Sequence, residues 1–318
     1  MTLGFAQLEI DERAYCPPIV KFKSMTTVTL AAILWIALAG AVCAQTTQDF
    51  VAEAVTAPKF QERIWQLPED SLLGFVEIPA GLFPMGSNPL IDPMAFENER
   101  WSETRRQGAV DLPQYYIARY ETTVAQFSAF IAETGYTLVE IPDTASADHP
   151  ISGVSWTDAL AYARWLEKQL QSSEQVPVEI RSLLSSGWRL TLPDEAQWEK
   201  AARGTDPRIF PWGNIVRRDR ANFAASGTVS VGSIPCPECP YGLSDMSGNV
   251  WEWTRSPYQH YPFTTEDDVA NLQDDALWVM RGGSYNDAEN NIRASVRGAA
   301  DPGARRPFIG FRLAIVRE

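Results

Sequence analysis

The residues best placed to do chemistry lie in Gly242-Leu-Ser-Asp-Met-Ser-Gly-Asn-Val-Trp-Glu-Trp-Thr254. Gly242, Gly248 and the Asp and Asn residues suit tight turns, because glycine tolerates positive φ and Asx side chains bond their own backbone. Folded compactly, the loop offers hard oxygen donors to a cation: the Asn249 amide, a nearby carbonyl such as that of Val250, and the Glu252 carboxylate. If the end of the segment is extended, Trp251 and Trp253 face one way and Glu252 the other. The same residues also read as a turn and an edge strand whose tryptophans are core, and both readings stand at this point. A second polar concentration follows Gly282-Gly283: Asn286, Asp287, Glu289, Asn290, Arg293, Arg297 and Asp301. A carboxylate beside an arginine orients a polar substrate or shuttles a proton. Paired surface charges at a loop end do neither, and contribute little.

The elements that must position these groups begin late. Val28–Val42 is apolar and uncharged, too short for a comfortable membrane span, preceded by Lys21 and Lys23 and followed by a small-residue site. That pattern predicts a leader over 1–44 containing a secretory signal peptide cut after Ala44, hence a periplasmic or secreted protein with no membrane attachment after processing. Acidic and basic residues balance within 1–44, so the mature chain keeps the formal charge of −13. Such acidity argues against nucleic acid as a partner, because phosphate contacts need clustered Lys and Arg. Removal of the leader leaves Cys236 and Cys239 in Pro235-Cys-Pro-Glu-Cys-Pro240. In an oxidising compartment a local disulfide is the simplest reading, with a redox-active pair or part of a metal site as the alternatives.

Residues 45–72 read as an N-terminal extension, partly helical between Phe50 and Leu67, and 73–318 as one α+β domain. Phe75–Pro79 is a strand; residues 88–110 are a long surface loop of the kind that hosts function. Val124, Phe127, Phe130 and Ile131 recur at helical spacing before Gly135. Ser155 and Asp158 form a capping box for a second helix, and Pro193–Arg203 makes a third after a polar linker. From Phe210 onward only short strands fit, notably Leu277–Met280 and Phe311–Val316, so turns and buried aromatics must hold that half together.

Eight blocks then occur in order: Phe83–Ser87, Tyr120–Thr123, His149–Trp156, Arg189–Gly204, Phe210–Asn214, Gly242–Thr254, Arg281–Tyr285 and Gly310–Leu313. Together they resemble the formylglycine-generating, sulfatase-modifying-factor family over about residues 73–316. The resemblance implies an irregular, loop-rich α+β fold related to the C-type lectin fold, with structural calcium. It places Asn249, Val250 and Glu252 in one calcium site. Asn222 and the carbonyl of Phe223 fall in part of a second, where Gly232 stands in place of an aspartate, and Ser284 falls in the active cleft.

True formylglycine-generating enzymes hold copper with two cysteines just after the Gly-Gly-Ser-Tyr motif. Here Gly283–Arg293 has none, and oxygen-rich side chains do not replace thiolates for Cu(I). The sulfoxide-synthase branch needs three iron-binding histidines, against only His149 and His260. No copper or iron site is therefore expected. The implied branch is that of exported members with neither ligand set, one of them a periplasmic protein of pyoverdine maturation. One expectation is a maturation enzyme acting on a small or peptidic substrate through a deep cleft near Ser284, with Asp287, Glu289, Arg293 and Arg297 as its polar groups. The other is a non-catalytic protein that binds a small molecule, peptide or protein on a shallow or aromatic-rich surface involving Trp251, Trp278 and the 88–110 loop.

Overall fold

Each of the three expected helices starts on a side-chain cap. Thr123, Ser155 and Asp194 each accept a hydrogen bond from the backbone three residues on, and Gln126, Asp158 and Gln197 reciprocate. These boxes satisfy amide donors that the first turn of a helix leaves unpaired. The helices run Val124–Thr134 (α1), Trp156–Ser172 (α2) and Glu195–Arg203 (here α4, since another precedes it). Gly135 at φ 67° ends α1. The computed structural model describes residues 58–104, 107–138, 146–264 and 276–317, all inside one unit spanning Thr56–Glu318. The expected leader 1–44, its cleavage site and the first part of the extension lie outside the described residues. Among the described residues, no helix is long and apolar enough to cross a membrane.

Two four-stranded sheets organise the unit. One has the order β3–β6–β12–β7, built from Phe75–Ile78, Tyr115–Ala118, Ala314–Arg317 and Trp188–Thr191, antiparallel throughout. The other has the order β10–β9–β8–β11, from Arg297–Ala300, Trp278–Arg281, Trp251–Pro257 and Ile309–Gly310, with β11 parallel to β8. The small ladders are β1–β2 (Phe60–Gln61, Leu67–Pro68) and β4–β5 (Gly81–Met85, Gly108–Leu112).

Strand alternation separates two cores. On β12, Ile315 enters the cluster built on α1 and α2 around Phe127, Phe130, Tyr162, Leu166 and Phe311, while Ala314 and Val316 enter the cluster around Trp198, Tyr115 and Phe83. Each fully buried side chain of this size stabilises by roughly 1.5–3 kcal/mol. A third, smaller cluster comprises Ile209, Phe210, Trp212, Ala221, Phe223 and Ile292, with Met94, Val216, Cys236 and Cys239 against it. The two cysteines are joined as a disulfide, with Cα atoms 5.3 Å apart.

Two local expectations change. Within its described part, residues 58–72, the extension forms a hairpin over 60–68 closed by a 3₁₀ turn rather than an α-helix. Trp65 and Gln66 sit at φ 45° and 59°, which turns the chain back and drives Ile64 and Leu67 into the main core. The polar linker contains a helix, α3 (Val178–Ser185). Ile180 and Leu184, four residues apart, bury on one side of it, while Val178 stays exposed.

Candidate functional site

The Gly242–Thr254 loop and its neighbours meet where three segments share backbone hydrogen bonds. The amide of Gly248 donates to the Gly282 carbonyl, that of Asn249 to Asn222, and that of Tyr285 to Asn249, each at 2.9 Å. Gly248 (φ 77°) is required here: a Cβ would lie 2.2 Å from the Asn222 carbonyl oxygen. The two stretches expected to bind separate cations are thus in direct contact.

Asn249 Oδ1 accepts from Asn222 Nδ2 at 3.1 Å and from the Val229 amide at 3.0 Å, and Asn249 Nδ2 donates to Glu121 at 2.6 Å. Glu252 is fully buried and faces away from Trp253, as the alternation requires. It accepts a two-pronged ion pair from Arg312 at 2.6 and 2.7 Å and a hydrogen bond from the Trp198 indole at 2.7 Å. Arg312 spends its remaining donors on the carbonyls of Ala118, Arg119 and Ser244. The side-chain oxygens of the expected ligand set Asn249–Val250–Glu252 are therefore turned to protein donors. Among the described residues no three His, Cys, Asp or Glu side chains converge as a metal-holding group.

Glu121, Asp245 and Glu252 share one neighbourhood with the single guanidinium of Arg312. Burial, then Asp245 and Glu252, hold the Glu121 carboxyl well above the usual range. Burial raises Asp245 to about 6, against the opposing pull of the Gly232 amide and Arg312. A raised carboxyl takes up its proton more readily, which lessens the negative charge that Arg312 must balance.

At the second expected site, Asn222 Nδ2 donates to Gly227 as well as to Asn249, and Phe223 lies in the small aromatic cluster. Gly232 accommodates the Tyr120 ring, which a Cβ would approach to 2.5 Å, so the space of the missing aspartate is filled.

Ser284 is fully buried. Its hydroxyl lies 2.6 Å from Asp287 Oδ2 and 2.7 Å from Asn286 Oδ1. Asp287 also accepts from the Trp251 indole at 2.8 Å and from Asn291 at 2.9 Å. This is a turn held by its own polar groups. Glu289 is exposed on a 3₁₀ turn.

Arg293 and Arg297 do not join Ser284. Arg293 pairs with Glu99 and Asp92 at 2.6–2.7 Å, and Arg297 with Glu195 at 2.5 and 2.8 Å beneath the rings of Tyr261 and Tyr258. Arg281 from β9 bridges Glu195 and Glu199 of α4, and Arg203 reaches Glu199 at 3.1 Å. Four arginines and four carboxylates thus make a neutral, buried network. Buried pairs of this kind are costly to break and confer no chemistry by themselves. Its sequence signal was present: Glu195 and Glu199 are one helical turn apart, with Arg203 a further turn on.

An open groove of about 570 Å³ lies elsewhere, lined by Ile91, Asp206, Pro207, Arg208, Trp212, Gly213, Asn214 and Glu238. Ile91 comes from the 88–110 loop and is half exposed. Leu90 and Ile215, neighbours in sequence of Ile91 and Asn214, are 79% and 77% exposed, so apolar side chains that water would rather not meet cluster in these two segments. Trp212 stacks on Phe210 at 5.2 Å and donates its indole to the Ile215 carbonyl at 2.8 Å. Sequence reading missed this site, although Phe210-Pro-Trp-Gly213 and the 88–110 loop were both singled out. Nothing in spacing said that they face one another.

A loop-rich α+β unit with the Gly-Asn-Val-Trp-Glu-Trp loop, the Arg-Gly-Gly-Ser-Tyr turn and a buried arginine–carboxylate network defines a family. The chain belongs to the sulfatase-modifying factor enzyme 1-like domain family, whose model matches residues 61–317. It is 27% identical to the formylglycine-generating enzyme of Thermomonospora curvata, over 78% of this chain and 95% of that protein. It is 33% identical to the serine/threonine-protein kinase pkn1 of Chlamydia pneumoniae over 53% of this chain, a match that spans only 24% of the kinase. Among solved structures it is similar to PvdO from Pseudomonas aeruginosa, with a TM-score of 0.62 and 26% identity, covering 76% of this chain and 93% of that one.

Proposed function

We propose that this protein is an exported, ligand- or protein-binding member of the family, and that the groove at Ile91 and Trp212 is its recognition surface. One observation carries the reading: Ser284 and Asp287 are closed into a self-satisfied turn, while the groove is open, of ligand-binding size, and lined by Ile91, Pro207 and Trp212 beside the charged Asp206, Arg208 and Glu238. The donor chemistry agrees. Asn286 and Asp287 follow Ser284 where copper chemistry of the formylglycine kind needs thiolates, and the only cysteines among the described residues are bonded to each other. The partner is a small molecule, a peptide or a protein met outside the cytoplasm. Calcium belongs to the proposal through the family resemblance of the Asn249–Glu252 loop.

Three measurements test this. A panel of small molecules and peptides is screened by thermal shift, and hits are repeated on Ile91→Asp, which leaves the core untouched. Hits that persist unchanged in that variant place recognition elsewhere. Copper-loaded protein incubated with a cysteine-containing peptide and oxygen is followed by mass spectrometry, where formation of formylglycine would overturn the binding reading. Calorimetric titration of chelated protein is expected to show one calcium per chain, lost in Glu252→Gln. Fractionation of expressing cells, with N-terminal sequencing of the product, checks export and a start at Gln45.

A further inference from the structure

Cys236 and Cys239 are both half-buried at the edge of the small aromatic cluster. A bridge across two intervening residues restricts the unfolded chain far less than one closing a long loop, so its effect is chiefly local. The residue it holds is Glu238, one position before Cys239. The Glu238 carboxylate accepts from Arg217 at 3.0 Å and from two nitrogens of Arg220 at 2.9 and 3.0 Å, and its carbonyl accepts from Arg208 at 3.1 Å. Arg208 also donates to the Pro211 carbonyl at 2.7 Å and pairs with Asp206. Glu238, Arg208 and Asp206 all line the groove. A single short loop therefore ties three arginines, spread over residues 208–220, to one wall of that groove.

We propose that the Cys236–Cys239 disulfide is a redox latch on this wall. In the oxidised protein the loop presents Glu238 to Arg208, Arg217 and Arg220. A dithiol reductant opens it: one reductant thiolate attacks a cysteine sulfur and expels the other as thiolate. The second reductant thiol then resolves the mixed disulfide, leaving two protein thiols and an oxidised, cyclic reductant. Two electrons and two protons pass to the protein. Released from the bridge, Glu238 withdraws from the arginines and the segment 206–220 loosens. The purpose of the latch rests on the reading of the groove as the recognition surface, but its motion does not.

Hydrogen exchange read by mass spectrometry on the full chain, without ligand, tests it. The segment has protected amides to report, since Phe210 and Gly213 exchange backbone hydrogen bonds and the Ile209 amide is held by Asn214. Dithiothreitol followed by alkylation is expected to speed exchange across 206–220 at least tenfold while α2 is unchanged. Glu238→Gln, with its disulfide intact, is expected to speed 206–220 alone. The proposal fails if native protein resists dithiothreitol, if reduction loosens only 235–240, or if Glu238→Gln exchanges like the parent. Because no ligand enters the measurement, a groove that binds nothing leaves this result readable.

Discussion

Tyr120 occupies the space that an aspartate at position 232 would need, and this decides how a calcium site here would respond to repair. Replacing Gly232 by Asp puts a side chain at φ 69° and within 2.5 Å of the Tyr120 ring. Strain of this kind costs on the order of 1–3 kcal/mol. Gly232→Asp is therefore expected to lower the urea midpoint without tightening calcium binding, whereas Gly232→Asp with Tyr120→Ala relieves the clash but not the backbone strain, so it gains affinity in a calorimetric titration while its midpoint stays below that of the parent. A gain from the single variant would show that the ring yields freely. Arg312 is the other decisive residue. Removing it in Arg312→Met strands buried Glu252, a change expected to cost about 3–5 kcal/mol, and adding Glu252→Gln should return part of that loss in equilibrium unfolding. At this scale the sequence spoke through Asn249 and Glu252 as buried polar residues on a turn and a strand. It did not say which partners they take: the amide finds Asn222 and Val229, and the carboxylate finds Arg312 and Trp198, residues tens of positions away.

Among the elements, α3 is the informative case. Ile180→Ala, which opens a cavity where α3 meets the main core, is expected to cost about 2–5 kcal/mol, while Val178→Ser on the exposed side stays within about 0.5 kcal/mol. Chemical denaturation of the two variants separates a helix that stabilises the domain from one that merely decorates it. This helix escaped notice because Ser, Glu and Gln residues dominate 172–186, and eight residues offer little periodicity. Helices α1, α2 and α4 were legible because a cap, an apolar stripe and a terminating glycine or polar turn agreed with one another. The hairpin at 60–68 was not, since left-handed Trp65 and Gln66 are held by tertiary burial of Ile64 and Leu67, and neither residue type announces that backbone.

For the whole molecule, two sheets divide the apolar interior, and a loop-rich half is held by aromatic stacks and buried ion pairs instead of regular structure. That half was legible in composition, from its Gly, Asn and Trp, but its groove arises where Ile91 meets residues 206–214, which only three-dimensional packing reveals. The sheet order makes one further strand critical. Because β12 lies between β6 and β7, a chain ending at Leu313 loses the centre of a sheet and both faces of its core. Such a truncation is expected to show no cooperative melting transition by calorimetry; a sharp one would mean that the remaining strands close without it.

The same placement governs how the sheet comes together. β12 pairs with Tyr116–Ile117 on one side and with Trp188–Thr191 on the other, both far back along the chain, so the sheet closes only through long-range contacts. The entropy of closing those loops must be met before the pairing rewards it, and refolding is expected to be limited by that closure.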